Sequence, residues 1–148
     1  AVAATLLSVM AGASIVGRLT VGGSVDRIGG RRAYILCFVP LITSLVMFVF
    51  IPTPWLLYGA VAIYGFGHGG FYTVISPIVA EYFGLRSHGA IFGVVVFFGT
   101  IGGALGLVMA GSVFDLTSSY GPAFGGLAGL AAVGLIVALR LPAAEKRA

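Results

Sequence analysis

Charged side chains are scarce in this chain of 148 residues, which has eight Lys or Arg and four Asp or Glu. Soluble domains have roughly a quarter of their residues charged, so this shortage argues against a soluble globular domain. Cysteine is rarer still: Cys37 is the only one, and no disulfide can form within the chain. Short segments of alternating apolar and polar residues are also missing, which argues against a transmembrane barrel of strands.

Apolar residues dominate instead, at 59% of the sequence with a mean hydropathy of +1.14. A helix needs about 20 apolar residues to cross a bilayer. Five tracts approach or exceed that length, at residues 1–24, 33–51, 55–83, 90–116 and 121–141. The predicted fold is therefore all-α, a polytopic transmembrane bundle of five spans. Because Ala1 lies inside an apolar tract and is not Met, we expect a piece of a longer protein.

The basic side chains fall in alternate connections between these spans. The first and third connections and the C-terminal segment contain Asp26, Arg27, Arg31, Arg32, Glu81, Arg86, His88, Arg140, Lys146 and Arg147. The second and fourth connections contain no Lys or Arg. The positive-inside rule then predicts a multi-pass protein of the plasma or inner membrane with a cytoplasmic C-terminus. It also accounts for the net charge of +4 without a nucleic-acid partner.

The first connection has an ordered motif, GGSVDRIGGRR, at residues 22–32. It resembles the loop signature GxLxDRxGRR of the major facilitator superfamily, with Ser24 in place of Leu and Gly30 as an extra residue. Two later stretches, EYFGLRSHGAIFG (81–93) and GSVFDLTSSYGPAF (111–124), are also similar to segments of that superfamily. The three together resemble helices eight to twelve, in the C-terminal half of a carrier close to oxalate/formate antiporters and monocarboxylate carriers.

The resemblance implies a cytoplasmic gate in which Asp26 binds a helix N-terminus of the missing N-terminal half, where backbone amides are free. It also implies that Arg27 or Arg31 pairs with Glu81. The alternative is that these charges only anchor the loop in water and headgroups. The predicted gate comprises Gly22, Asp26, Arg27, Gly29, Arg31, Arg32, Glu81 and Arg86.

Arg18 lies two turns before Asp26, roughly 12 Å deeper along the same helix. A charge at such depth costs at least about 2.5 kcal/mol unless it faces water or a partner. Ser14, one turn earlier, lies on the same face. The resemblance implies that Arg18 holds the carboxylate of a substrate and that Ser14 replaces the Asp often found in monocarboxylate carriers. The alternatives are that the Arg18 side chain snorkels to the cytoplasmic interface or pairs with a residue of the N-terminal half of the carrier.

Four further polar positions are candidates for the substrate site. His68 has Tyr64 and Tyr72 four residues away on either side, so the three share a helix face that either lines a pathway or packs on another helix. Thr100 in the fourth span is the fourth candidate. The surrounding glycines, Gly89, Gly93, Gly99 and Gly103, form a stripe predicted to pack against a helix. Gly65, Gly67 and Gly70 spell GxGxxG, but no strand precedes them and a nucleotide site is not predicted.

The sequence therefore predicts a secondary transporter of a small organic anion, a mono- or dicarboxylate, that works by alternating access. Its expected partners are that anion, protons, the lipid bilayer and the N-terminal half. An oligomeric pore or scaffold is the second interpretation. An intramembrane enzyme is disfavoured because the spans contain no HExxH motif, carboxylate pair or Ser–Lys pair, and the sequence has no cofactor or metal motif.

Overall fold

The computed structural model describes residues 2–50 and 53–142, which form five α-helices, one for each predicted span. Their bounds are α1 Val2–Ile28, α2 Gly30–Phe50, α3 Pro54–Phe83, α4 His88–Thr117 and α5 Gly121–Arg140. The all-α prediction is confirmed. Some predicted features lie outside the described residues. They are the start of the first span at Ala1, the end of the second span at Ile51, and the basic residues Lys146 and Arg147.

Four helices, α1, α2, α4 and α5, are long and apolar enough to cross a membrane. The remaining helix, α3, has 30 residues but includes polar side chains along its middle. Its crossing of the membrane therefore stays a prediction. Helix α3 also lies at the centre of the packing, because it contacts α1, α2 and α4.

The predicted loop between the first two spans is wrong, because only Gly29 separates α1 from α2. Gly29 has φ 83°, a left-handed conformation that glycine adopts without strain, and its amide donates to the Val25 carbonyl at 2.8 Å. Asp26 and Arg27 consequently lie in the last turn of α1. Hydropathy locates the end of the apolar tract, but the helix continues beyond it into the charged segment.

Helices α1 and α3 run parallel and touch backbone to backbone. The backbone of Met10 packs against Gly65, and that of Ser14 packs one turn further along against Gly69. A Cβ atom added to Gly69 would lie 2.8 Å from the Ser14 Cα, far inside normal contact distance. Small residues at such positions let membrane helices approach closely, which is the main source of their packing energy.

Helix α2 packs antiparallel on the other side of α3. The side chains of Pro40 and Leu41 on α2 would lie 3.0 and 3.1 Å from a Cβ atom added to Gly67 on α3. Nearer the charged end, an aromatic cluster joins the same helices: the Tyr34 and Phe71 rings are 4.9 Å apart. Helix α5 covers the outer face of α2. The helices thus pack side by side in the order α1, α3, α2, α5.

Helix α4 stands at the edge of this assembly, and none of its described residues is buried. Among the described helices it contacts α3 and α5. The predicted packing stripe faces open space, because no described atom outside α4 lies within 4 Å of a Cβ built on Gly89, Gly93, Gly99 or Gly103. The stripe is therefore not a packing surface between the described helices, and close packing is found instead at the glycines of α3.

Candidate functional site

Contacts between helix ends bring the charged segments to one end of the bundle. The Gly30 amide donates to Glu81 Oε1 at 2.8 Å, Arg31 Nη2 donates to the Leu139 carbonyl at 2.9 Å, and the Tyr82 hydroxyl donates to the Pro142 carbonyl. We call this the basic end. Its charged side chains are Asp26, Arg27, Arg31, Arg32, Glu81, Arg86 and Arg140, whereas Asp115 lies near the opposite end. The charged side chains that fall in alternate connections of the sequence therefore lie together at one end of the fold.

The predicted ion pair between Glu81 and Arg27 or Arg31 is wrong within the described residues. The Glu81 carboxylate accepts a hydrogen bond from the first amide of α2. That amide is one of the unpaired donors of a helix N-terminus, where the macrodipole also favours negative charge. A Cβ atom on Gly30 would lie 2.9 Å from Glu81 Oε2, so the extra glycine of the motif leaves room for the carboxylate.

The other residues of the predicted gate form few contacts inside this chain. Gly22 packs on α3, where a Cβ atom would lie 3.3 Å from the Thr73 methyl group, as expected for a glycine at a close helix approach. Arg31 reaches α5, although its Nε is buried without a hydrogen-bond partner in the described part of the chain. The side chains of Asp26, Arg27, Arg32 and Arg86 are exposed.

A row of rings lies on one face of α3. The His68 ring stacks on Tyr64, with centroids 5.5 Å apart, and lies 4.9 Å from the Tyr72 ring on its other side. The shared helix face predicted from the spacing of four residues is therefore observed. His68 is half-buried, and Tyr72 is 46% exposed.

Arg18 on α1 joins this row from the neighbouring helix. Its side chain is exposed. Its placement next to the row follows from the backbone contact one turn away, where Ser14 meets Gly69, the residue after His68. We call Arg18, Tyr64, His68 and Tyr72 the Arg18–His68 cluster. Ser14 lies at the contact between the two helices, beside the cluster.

Thr100 is not part of this cluster. It lies in the middle of α4, where its hydroxyl donates to the Val96 carbonyl of its own helix at 2.9 Å. Helices α1 and α4 do not contact each other. The sequence could not separate Thr100 from the other candidates, because it does not specify which helices are neighbours.

An open apolar groove of about 780 Å³ begins at Tyr64 and was not predicted from the sequence. Its walls include Met10 on α1, Phe48 on α2, and Leu57 and Val61 on α3. The only signal in the sequence is the spacing of Leu57, Val61 and Tyr64, which places them on one face of α3. Such a spacing is typical of any buried helix face, so it does not by itself indicate a groove.

Comparison with known proteins identifies the family. The sequence profile of the Major Facilitator Superfamily matches residues 1–148. The chain belongs to this superfamily. Human monocarboxylate transporter 7 is 33% identical over 145 residues, which are 95% of this chain but 28% of that transporter. No solved structure matches the chain.

Membership in the Major Facilitator Superfamily confirms the resemblance drawn from the three motifs. With four helices apolar and long enough to span a bilayer, the chain is a multi-pass membrane protein. It spans less than a third of the length of the curated relative that it matches. The motif GGSVDRIGGRR comprises the end of α1, Gly29 and the start of α2.

Proposed function

We propose that this superfamily member is part of a secondary transporter that carries a small organic anion by alternating access, with Arg18 binding the carboxylate. The observation that supports this most directly is an exposed guanidinium beside His68, on the two helices that pack closest together. A guanidinium at membrane depth costs at least about 2.5 kcal/mol unless a cavity or a counter-charge stabilises it. Superfamily membership favours this role over that of an enzyme.

No carboxylate of the described residues serves as that counter-charge. Glu81 binds the Gly30 amide at the basic end, and Asp26 lies two turns, or roughly 12 Å, along α1 from Arg18. Asp115 lies near the other end of the bundle, on α4, which does not contact α1. An anionic substrate would supply the missing charge through a planar, bidentate pair with the guanidinium.

A monocarboxylate fits this cluster better than a dicarboxylate. Arg18 is the one permanently charged member of the Arg18–His68 cluster, and a dianion would leave its second carboxylate without a cation there. The human relative is a monocarboxylate transporter by name, which agrees with this choice. His68 is the cluster member whose imidazole can accept and release a proton, so a proton is a suitable companion of the anion.

We infer that the basic end faces the cytoplasm and contains the gate. The positive-inside rule supports this orientation, and with it a cytoplasmic C-terminus in the plasma or inner membrane. Asp26 is exposed in the last turn of α1, where it is free to bind a helix N-terminus of the other half of the carrier. The Glu81–Gly30 contact is a contact of the same chemical kind within this chain.

An oligomeric pore is the second candidate, and the open glycine stripe of α4 supports it, because such stripes mediate helix association in lipid. The two functions differ in kinetics. A carrier saturates with substrate and shows counterflow, in which unlabelled anion inside the vesicle drives uptake of labelled anion. A pore shows conductance without saturation.

The test replaces Arg18 in the intact carrier that contains this chain, reconstituted in proteoliposomes. Hydrogen bonds to charged groups contribute about 1.5–3 kcal/mol, so Arg18→Gln is expected to reduce counterflow of labelled pyruvate at least about ten-fold. Arg18→Lys keeps the charge but loses the planar fork, and should retain part of the activity. Arg140→Gln is the matched control, because Arg140 is exposed and is not one of the predicted gate residues. Unchanged counterflow in Arg18→Gln would contradict the proposal.

A further inference from the structure

The apolar groove and the Arg18–His68 cluster lie along one face of α3. Five residues follow one another on α3 at intervals of three or four positions, which places them in a single row on the helix. They are Leu57, Val61, Tyr64, His68 and Tyr72. The first three line the groove, and the last three are the neighbouring rings of the cluster. Tyr64 belongs to both.

The groove has apolar walls on three helices around α3. Met10 contributes from α1, Leu45 and Phe48 from α2, and Phe124 from α5. The Phe48 and Tyr64 rings lie 6.2 Å apart across it. Its volume of about 780 Å³ falls within the range of about 300–1,000 Å³ that is usual for small-molecule sites.

The two ends of this row differ in charge. At one end, the groove offers hydrocarbon side chains from Leu57 to Tyr64. At the other end lies Arg18, one turn beyond the contact between Ser14 and Gly69 that joins α1 to α3 next to His68. We infer that the transported anion is amphipathic: an unbranched monocarboxylate whose carboxylate binds at Arg18 and whose hydrocarbon tail of several carbons extends along α3 into the groove. This inference rests on the proposed function, because it concerns the substrate of the same site.

The dimensions agree with a tail of this kind. Val61 and His68 are separated by seven residues of helix, which corresponds to about 10 Å along its axis. An extended eight-carbon acid is of comparable length, so its tail would reach Val61 with its carboxylate near His68. A very small acid would leave the groove empty and gain nothing from its walls.

The experiment measures how linear acids from acetate to octanoate compete for counterflow of labelled pyruvate in proteoliposomes of the intact carrier. Burial of each methylene is expected to lower the half-inhibitory concentration about four-fold until the groove is filled. Val61→Phe narrows the groove and should reduce the advantage of octanoate over acetate at least ten-fold. Val108→Phe enlarges a side chain that is 68% exposed on α4, away from the groove, and should keep the wild-type advantage.

A second measurement does not depend on the larger side chain being tolerated. In Val61→Cys, labelling by a thiol reagent should be slowed by octanoate and not by acetate, each at a concentration that inhibits counterflow by half. Equal labelling with both acids would overturn the inference. A cysteine that no reagent reaches would also overturn it, because another part of the carrier would then occupy the groove.

The outcomes separate this inference from the proposed function. If inhibition does not change with chain length but Arg18→Gln still reduces counterflow at least about ten-fold, the amphipathic substrate is refuted and the anion carrier stands. If Arg18→Gln transports normally, the site itself is refuted. A four-fold gain per methylene that Val61→Phe removes and Val108→Phe retains would support both.

Discussion

The backbone contact between α1 and α3 gives the sharpest prediction, for Gly69→Ala. The added methyl would lie 2.7 Å from the Ser14 Oγ and 2.8 Å from its Cα. Carbon atoms pack best at about 3.5–4.0 Å, so the two helices must separate by roughly 1 Å. A backbone cannot rotate away as a side chain can. We therefore expect a destabilisation of about 1–3 kcal/mol, the range found when a methyl is forced into a packed site.

The assay is the apparent melting temperature of the purified intact carrier in detergent, followed by loss of the monodisperse peak in size-exclusion chromatography. Gly69→Ala should lower it by several degrees. Gly126→Ala on α5 is the control, because a Cβ atom there has no neighbour within 4 Å, and its melting temperature should match the wild type. Equal melting temperatures for the two variants would refute the close backbone contact.

A compensating change tests the same reasoning at Gly70. There the added Cβ would meet the Val21 side chain, at 2.7 Å from Cγ2 and 3.2 Å from Cβ. Val21→Ala removes the nearer atom, so the double variant should recover most of the stability that Gly70→Ala loses. Ser14→Ala should not rescue Gly69→Ala in this way, because the Ser14 backbone remains. Rescue at both positions, or at neither, would contradict the distinction between backbone and side-chain contacts.

Two contacts at the basic end yield the remaining predictions. Glu81→Ala should cost about 0.5–1.5 kcal/mol by removing the acceptor of the Gly30 amide, whereas Glu81→Gln keeps an acceptor oxygen and should cost less. A Cβ atom on Gly30 displaces the same carboxylate. Adding Gly30→Ala to Glu81→Ala should therefore not lower the melting temperature further. If the losses of stability in the two single variants added fully in the double variant, the contact would be contradicted. Arg31→Ala removes the bond to the Leu139 carbonyl and should speed hydrogen exchange in the last turn of α5, whereas Arg32→Ala, at an exposed position, should not. Equal exchange in the two arginine variants would argue against that bond.

The helices were predictable from the sequence because length and hydropathy determine how many apolar segments a chain contains. Their ends at the charged side were not. The chain from Val25 to Arg32 was predicted as a loop, yet it is helical except at Gly29. Charged residues report where the chain leaves the apolar layer, whereas a helix ends where its backbone conformation changes, here at a glycine with positive φ.

For the site, contacts within one helix were predictable and contacts between helices were not. The row of Tyr64, His68 and Tyr72 follows from helical spacing alone. The approach of Arg18 to His68 depends on the parallel packing of α1 on α3. Both α3 and α4 are rich in glycine, but in the described part of the chain Gly65, Gly67, Gly69 and Gly70 of α3 face a neighbouring helix and the glycines of α4 do not. The reason is that the helix order places α3 between α1 and α2.

This helix order also constrains how the proposed site can work. Arg18 and His68 lie on two helices whose backbones touch at Gly65 and Gly69, so neither helix can slide or tilt without breaking that contact. The Arg18–His68 cluster should therefore keep its geometry while access changes from one side of the membrane to the other. Helix α4, with no buried residue, is free of that constraint within the described chain. Alternating access would then arise from movement of the packed helices α1 and α3 as one body. The cluster would remain a fixed anion site, and the contacts that change would be those of the basic end.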